Sequence, residues 1–289
     1  MTTTQDWVAG ARPRTLWTAI APVAVGTGAA VLLDEFRLLP ALLALAVGLA
    51  MQIAVNYAND YSDGVRGTDI DRVGPDRLVA TGRATPTAVR NAAFVSFGVA
   101  AVAGLALVVL TETWWLLAVG AVAIVAAWGY TGTSRPYGYS GWGEAMAFLF
   151  FGPVATLGTL YTQALEITWW AVVASVGVGL YSVALMLVNN IRDIATDTIA
   201  GKRTLPVRIG EARARRLFMG VVMLPVLCSI IVAFVHPWVL ISTVVALPSL
   251  LVAFGMRVGA ERISMPLIFK ALSGIGLAYG LLFALGLVL

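Results

Sequence analysis

Long apolar runs, broken by short polar stretches, set the pattern of this chain. Nine runs approach the roughly 20 residues that a helix needs to cross the hydrocarbon core of a bilayer. They cover residues 16–33, 38–57, 89–110, 114–130, 143–160, 168–188, 216–235, 237–256 and 266–289. The pattern predicts an all-α integral membrane bundle of nine transmembrane helices, one domain over residues 1–289. Glycines inside the runs fit this reading, because small residues let membrane helices approach closely. Arg12 and Arg14 precede the first run much as charges precede a signal peptide. That run is longer than a typical h-region and similar runs follow it, so it reads as a retained span.

Composition and charge sharpen the picture. Of the 289 residues, 60% are hydrophobic and only 12% charged, against about half and about a quarter in soluble domains. With the N-terminus placed in the cytoplasm, every lysine and arginine except Arg37 falls on the cytoplasmic side, as the positive-inside rule requires. Trp114, Trp115, Trp169, Trp170 and Trp238 then gather at the outer helix ends, where an aromatic belt is expected. A formal charge of +4, scattered over the chain, excludes a nucleic-acid partner. The single cysteine, Cys228, excludes an intrachain disulfide, and the single histidine, His236, sits in a turn. Zinc clusters and histidine triads are therefore set aside.

The chemistry lies in two long polar loops, about 58–88 and 190–215, both cytoplasmic in this topology. The first opens within Asn56-Tyr57-Ala58-Asn59-Asp60-Tyr61-Ser62-Asp63 and carries Arg66, Asp69, Arg72 and Arg77. The second begins Asn189-Asn190-Ile191-Arg192-Asp193 and carries Asp197, Lys202 and Arg203. Residues three and four apart share a helix face, so Asn56, Asp60 and Asp63 align, as do Asn189, Asp193 and Asp197. Carboxylates so close repel one another unless cations intervene. Magnesium takes one or two carboxylates and completes its shell with water and phosphate. Two such clusters, after the second and the sixth span, suggest facing halves around one site for a diphosphate with a lipid tail.

At these residues the chain resembles the UbiA superfamily of intramembrane prenyltransferases. Asn59, Asp60 and Asp63 match its N-D-x-x-D-x-x-x-D motif, except that Gly67 stands at the last aspartate, with Asp69 two residues on. Asp193 and Asp197 match its D-x-x-x-D motif. Further likeness lies in Ala11-Arg12-Pro13-Arg14-Thr15-Leu16, Tyr130-Thr131-Gly132 and Lys202-Arg203-Thr204-Leu205, and points to the branch acting on 1,4-dihydroxy-2-naphthoate. The resemblance implies Mg2+ held by the catalytic Asp60, Asp63, Asp193 and Asp197. It implies a polyprenyl diphosphate and an aromatic acid as substrates, in a bacterial inner (cell) membrane with the active site facing the cytoplasm.

Asn56, Asn59, Arg66, Asp69, Arg72, Asn189, Asn190, Lys202 and Arg203 are the expected head-group ligands. Tyr130, Arg135, Tyr137 and Tyr139, in the loop before the fifth span, are expected to hold the aromatic acid. Arg135 reads equally as a topology charge, the tyrosines equally as interfacial anchors, and Glu144 as a helix N-terminal acid. An acceptor such as 4-hydroxybenzoate is the alternative within the family. A CDP-alcohol phosphotransferase would need one extended motif rather than two, and an ion-coupled transporter would carry its acids near mid-helix.

Overall fold

The computed structural model describes residues 2–67, 77–259 and 264–289, and among them every regular element is helical. In order they are α1 (Thr4–Ala11), α2 (Trp17–Leu32), α3 (Leu38–Arg66), α4 (Pro86–Thr111), α5 (Leu116–Thr131), α6 (Gly143–Leu149), α7 (Ala155–Ala164), α8 (Trp169–Arg192), α9 (Ile194–Ile199), α10 (Leu205–Ile209), α11 (Glu211–Ala233), α12 (Ala246–Arg257) and α13 (Met265–Val288). Short 3₁₀ turns join several of them, and a nine-residue 3₁₀ helix, Pro237–Val245, leads straight into α12.

Each predicted apolar run falls on helix. Seven stretches are long and apolar enough to cross a membrane, and the α1–α2 limbs, bent by 50°, make an eighth if they form one span. The last run is α5, with 16 residues. At 1.5 Å per residue it rises about 24 Å, less than the roughly 30 Å hydrocarbon core. Large apolar side chains cover the outside, among them Val102 at 70% exposure, Val125 at 72% and Leu247 at 65%. A water-facing surface would not carry them in such number. The chain is a multi-pass membrane protein.

Three local features position the polar end of the bundle. First, α3 continues beyond the predicted boundary at 57, so Asn59, Asp60 and Asp63 sit on helix rather than in a loop. Gly67, at φ 69°, closes that helix in the left-handed conformation that glycine adopts without strain. Second, α1 was not expected from the apolar pattern. A capping box between Thr3 and Asp6 starts it, and α3 holds it down. Tyr57 Oη donates to Trp7 O at 2.8 Å, and Asn56 Nδ2 donates to Ala11 O at 2.8 Å and to Thr15 Oγ1 at 3.0 Å. Third, α6 and α7 form one apolar stretch carrying a π-turn at Phe150–Val154. Pro153, which has no N–H to give, lies in that turn.

The core centres on α8, packed by α2, α7, α11 and α13. Its two buried tyrosine hydroxyls are hydrogen-bonded: Tyr181 Oη meets Ser249 Oγ at 2.9 Å, and Tyr279 Oη donates to Pro225 O at 3.0 Å. Trp170 departs from the expected aromatic belt. It is buried, and the His236 ring packs edge-on against it with centroids 4.9 Å apart. Cys228 is a buried, free thiol.

Helices approach closely where the π-turn meets α8. A Cβ on Gly152 would lie 2.7 Å from Gly179 Cα and 2.8 Å from Ser175 O. Gly179→Val should therefore overpack this contact and cost about 1–3 kcal/mol. The expected result is a lower thermal unfolding midpoint for the detergent-solubilised protein.

Candidate active site

Two cavities meet at one end of the bundle. The polar one, about 100 Å³, is walled by Asn59 and Asp63 of α3, by Asn189, Asn190, Asp193, Thr196 and Asp197 of α8–α9, and by Arg12, Arg77, Tyr139 and Lys202. The apolar one, about 240 Å³, runs between α2, α3, α5, α6 and α7 from Leu116 to Tyr137. Tyr130 lines both. The two acidic motifs, far apart in sequence, thus form opposite walls of a single chamber.

Asp63 is the hub of that chamber. Lys202 Nζ lies 3.0 Å from its Oδ1, Arg77 Nη2 lies 3.3 Å from its Oδ2, and Tyr139 Oη donates to Oδ1 at 2.6 Å. Burial, then the Asp63 charge, holds the Tyr139 phenol well above its ordinary range, so it stays a donor. Lys202 also sits 4.6 Å from the centre of the Tyr139 ring, a cation–π contact. On the facing wall, Arg192 binds Asp193 through Nε and Nη2, both at 2.7 Å. Lys202 stands farther from Asp197, at 4.0 Å. Burial pushes the Asp197 carboxyl up to about 6; Lys202 opposes this, while Asp193 and Asp63 add to it. One acid in the chamber is therefore short of positive charge.

The structure divides the expected ligands of the first motif. Asp60 does not line the chamber: its Oδ2 accepts the Leu78 amide at 2.8 Å and its Oδ1 the Val79 amide at 3.0 Å. Asn56 likewise turns to α1 and, through Gln52 at 3.2 Å, to α2. Asn56 and Asp60 share one face of α3, while Asn59 and Asp63, also four apart, share the neighbouring face that meets the chamber. This corrects the expected alignment of Asn56 and Asp60 with Asp63.

Among the other expected ligands, Arg66 clamps the end of α5. Its Nη1 and Nη2 donate to Thr131 O at 2.7 Å and Thr133 O at 2.6 Å, and Nη1 also reaches Ser62 Oγ. Arg135 and Arg203 are exposed and line neither cavity. The Arg203 amide donates to Tyr139 O at 2.8 Å, which ties the second loop to the tyrosine turn. Tyr137 lines the apolar cavity, its phenol pushed up to about 12 by burial. Asp69 and Arg72 lie outside the described residues.

Arg12, Thr131, Thr196 and Thr204 complete the chamber wall without having been expected there. Arg12 has φ 53° and ψ 70° just before Pro13, a left-handed conformation uncommon for a non-glycine residue and often found at functional sites.

Among the described residues, no three acidic, histidine or cysteine side chains converge closely enough to cage an ion by themselves. Magnesium does not need such a cage. One or two carboxylates with water and phosphate complete its octahedron, and the acids on the two facing walls suit that division.

The model of the UbiA prenyltransferase family matches residues 16–287. The chain belongs to this family. A 1,4-dihydroxy-2-naphthoate octaprenyltransferase of Mycobacterium tuberculosis is 51% identical over 254 residues, covering 88% of this chain and 87% of that protein. Another of that name, from Escherichia coli, is 38% identical over 231 residues, covering 78% and 75%. The fold is that of a UbiA homolog from Archaeoglobus fulgidus bound to GPP and Mg2+, at a TM-score of 0.68 and 16% identity over 96% of this chain and 99% of that one. UbiA-family membership accounts for the all-helical frame around two facing acidic motifs.

Asp60 and Asp197 should respond oppositely to neutralisation. Asp60→Asn keeps one acceptor oxygen but sets an amino group against the second amide, and should lower the unfolding midpoint. The raised Asp197 pKa means that the folded state binds this proton more tightly than the unfolded chain does. Its unfavourable contribution grows as pH rises from about 4 to about 6 and persists above. Asp197→Asn should therefore melt no lower than the parent at neutral pH without metal, as differential scanning fluorimetry across pH would read.

Proposed function

We propose that this enzyme transfers a polyprenyl group from polyprenyl diphosphate to 1,4-dihydroxy-2-naphthoate, releasing pyrophosphate and CO2 and giving demethylmenaquinol, the reduced form of demethylmenaquinone. The observation that carries the reading is the chamber built from both acidic motifs and joined at Tyr130 to an apolar cavity. A polar head and the start of a lipid tail suit that pair of spaces. The choice of acceptor rests on the relatives named for it, which match most of the chain.

Asn59 and Asp63 on one wall, with Asp193 and Asp197 on the other, would hold Mg2+ against the diphosphate. When bound, the ion supplies the positive charge that makes pyrophosphate a better leaving group. Lys202, Arg77 and Arg12 supply further charge as the C–O bond breaks, an electrostatic role that is often the largest in such catalysis. Asp60 fixes the backbone at Leu78 and Val79, and so the position of Arg77 beside it. Asp69 and Arg72 keep their expected head-group role on sequence position alone.

The allylic carbon then lies near Tyr130 and Tyr137, whose aromatic faces favour a developing cation. The electron-rich naphthoate ring attacks there, and loss of its carboxylate restores aromaticity. Apolar walls exclude the water that would otherwise quench the cation.

The nine helical stretches are read as nine crossings of a bacterial inner membrane by a single domain, N-terminus in the cytoplasm. Arg12 and the C-terminal ends of α3 and α8 all reach the chamber, so the basic end of the bundle and the site share the cytoplasmic face.

Membranes containing the protein should form prenylated product from 1,4-dihydroxy-2-naphthoate and a long prenyl diphosphate, with Mg2+ and not with a chelator. Product from 4-hydroxybenzoate alone would sink the acceptor assignment. Asp63→Asn, Asp193→Asn and Asp197→Asn should each lower turnover by at least about a hundredfold, the scale of one lost electrostatic contact in a transition state. Turnover retained in all three would remove the metal model.

A further inference from the structure

Glu144 is an acid that the proposed chemistry leaves unused. It is 4% exposed, in the first turn of α6, and does not line the chamber. Its Oε1 accepts a hydrogen bond from Asn190 Nδ2 at 2.8 Å, while its Oε2 is buried with no hydrogen-bond partner among the described residues. An unmade hydrogen bond at a buried acceptor is costly, and more so for a charged one. A favourable helix dipole explains an acid in a first turn. It does not explain an acid that is buried, half-satisfied and paired across to α8.

The pairing has a consequence for Asn190. As a carboxylate Glu144 Oε1 only accepts, so the 2.8 Å contact commits the Asn190 amino group and leaves the amide one orientation. The carbonyl oxygen is turned away from Glu144. Asn190 lines the chamber beside Asp193 and Asp197, three and seven residues on, along the same side of the α8–α9 segment. Asn59, on the opposite wall, has its carbonyl oxygen engaged by the Thr131 hydroxyl at 2.8 Å.

We propose that Glu144 is a positioning residue that locks the Asn190 amide with its oxygen toward the chamber, making Asn190 an oxygen ligand for the cation and diphosphate head group. Without the lock the amide turns over, and an N–H group would face the cation. The inference rests on the proposed diphosphate reading and adds to it a residue outside the acidic motifs.

The test is a Mn2+ titration of the full-length, detergent-solubilised protein with inorganic pyrophosphate, followed by electron paramagnetic resonance. Loss of an outer partner of a metal ligand typically costs tenfold or more in affinity. Glu144→Met should therefore weaken Mn2+ binding by about tenfold, and Glu144→Ala carries the same expectation should the methionine variant fail to fold. Glu144→Gln still offers an oxygen to Asn190 and should bind like the parent. In an Asn190→Ala background, Glu144→Met should cost nothing further. Parent-like binding by Glu144→Met, equal losses in the Gln and Met variants, or additive losses with Asn190→Ala would each overturn the proposal. No Mn2+ binding by the unaltered protein would instead overturn the diphosphate reading itself.

Discussion

The polar end of this bundle is organised around one buried carboxylate. Ionic groups near hydrocarbon are expensive unless paired, and Asp63, 6% exposed, is paired three times over. Its partners come from three separate stretches: Arg77 from beyond α3, Tyr139 from the turn between α5 and α6, and Lys202 from beyond α9. Removing one partner of such a buried pair leaves an uncompensated charge, which costs more than the pair contributes net. The arrangement therefore holds the three stretches together, and with them the two halves of the chain.

Around that hub the acids divide into two kinds. Asp60 satisfies backbone amides and shapes the approach of Arg77, while Asp193 is gripped by the adjoining Arg192. Asp197 has Lys202 only at 4.0 Å, and burial first, then the charges of Asp193 and Asp63, raises its pKa. Acids with close partners and one with only a distant cation thus sit within one small volume. The Arg66 clamp and the Asn56–Gln52–Thr15 network lie outside it and fasten α5, α1 and α2 to α3.

The helical frame was legible in the sequence because lipid permits so few alternatives: an apolar run of that length has to be helix. The meeting of the two motifs was legible from their matching places after the second and sixth spans. Which face of α3 points inward was not. Asn56 with Asp60 and Asn59 with Asp63 offer the same spacing, and only the packing of α1 against α3 decides between them. Arg12 read as a topology charge within a family-like string, and a left-handed turn before Pro13 carries it to the chamber. Arg135 was the converse, a lone basic residue in the right loop that the turn leaves exposed. Tyr139 read as an interfacial anchor or an acceptor contact, whereas its hydroxyl is committed to Asp63.

Tyr130 belongs to both cavities, one walled by charge and the other by hydrocarbon. On the function proposed above, the bond that breaks is the bond joining the two halves of an amphiphile, and it breaks beside this ring. Once severed, neither fragment has reason to stay with the other. Pyrophosphate belongs to the water beyond the chamber, and the prenylated ring to the lipid around the bundle. Departure by separate routes would make recombination rare, giving the reaction a direction through partition as well as through the chemistry of the leaving group.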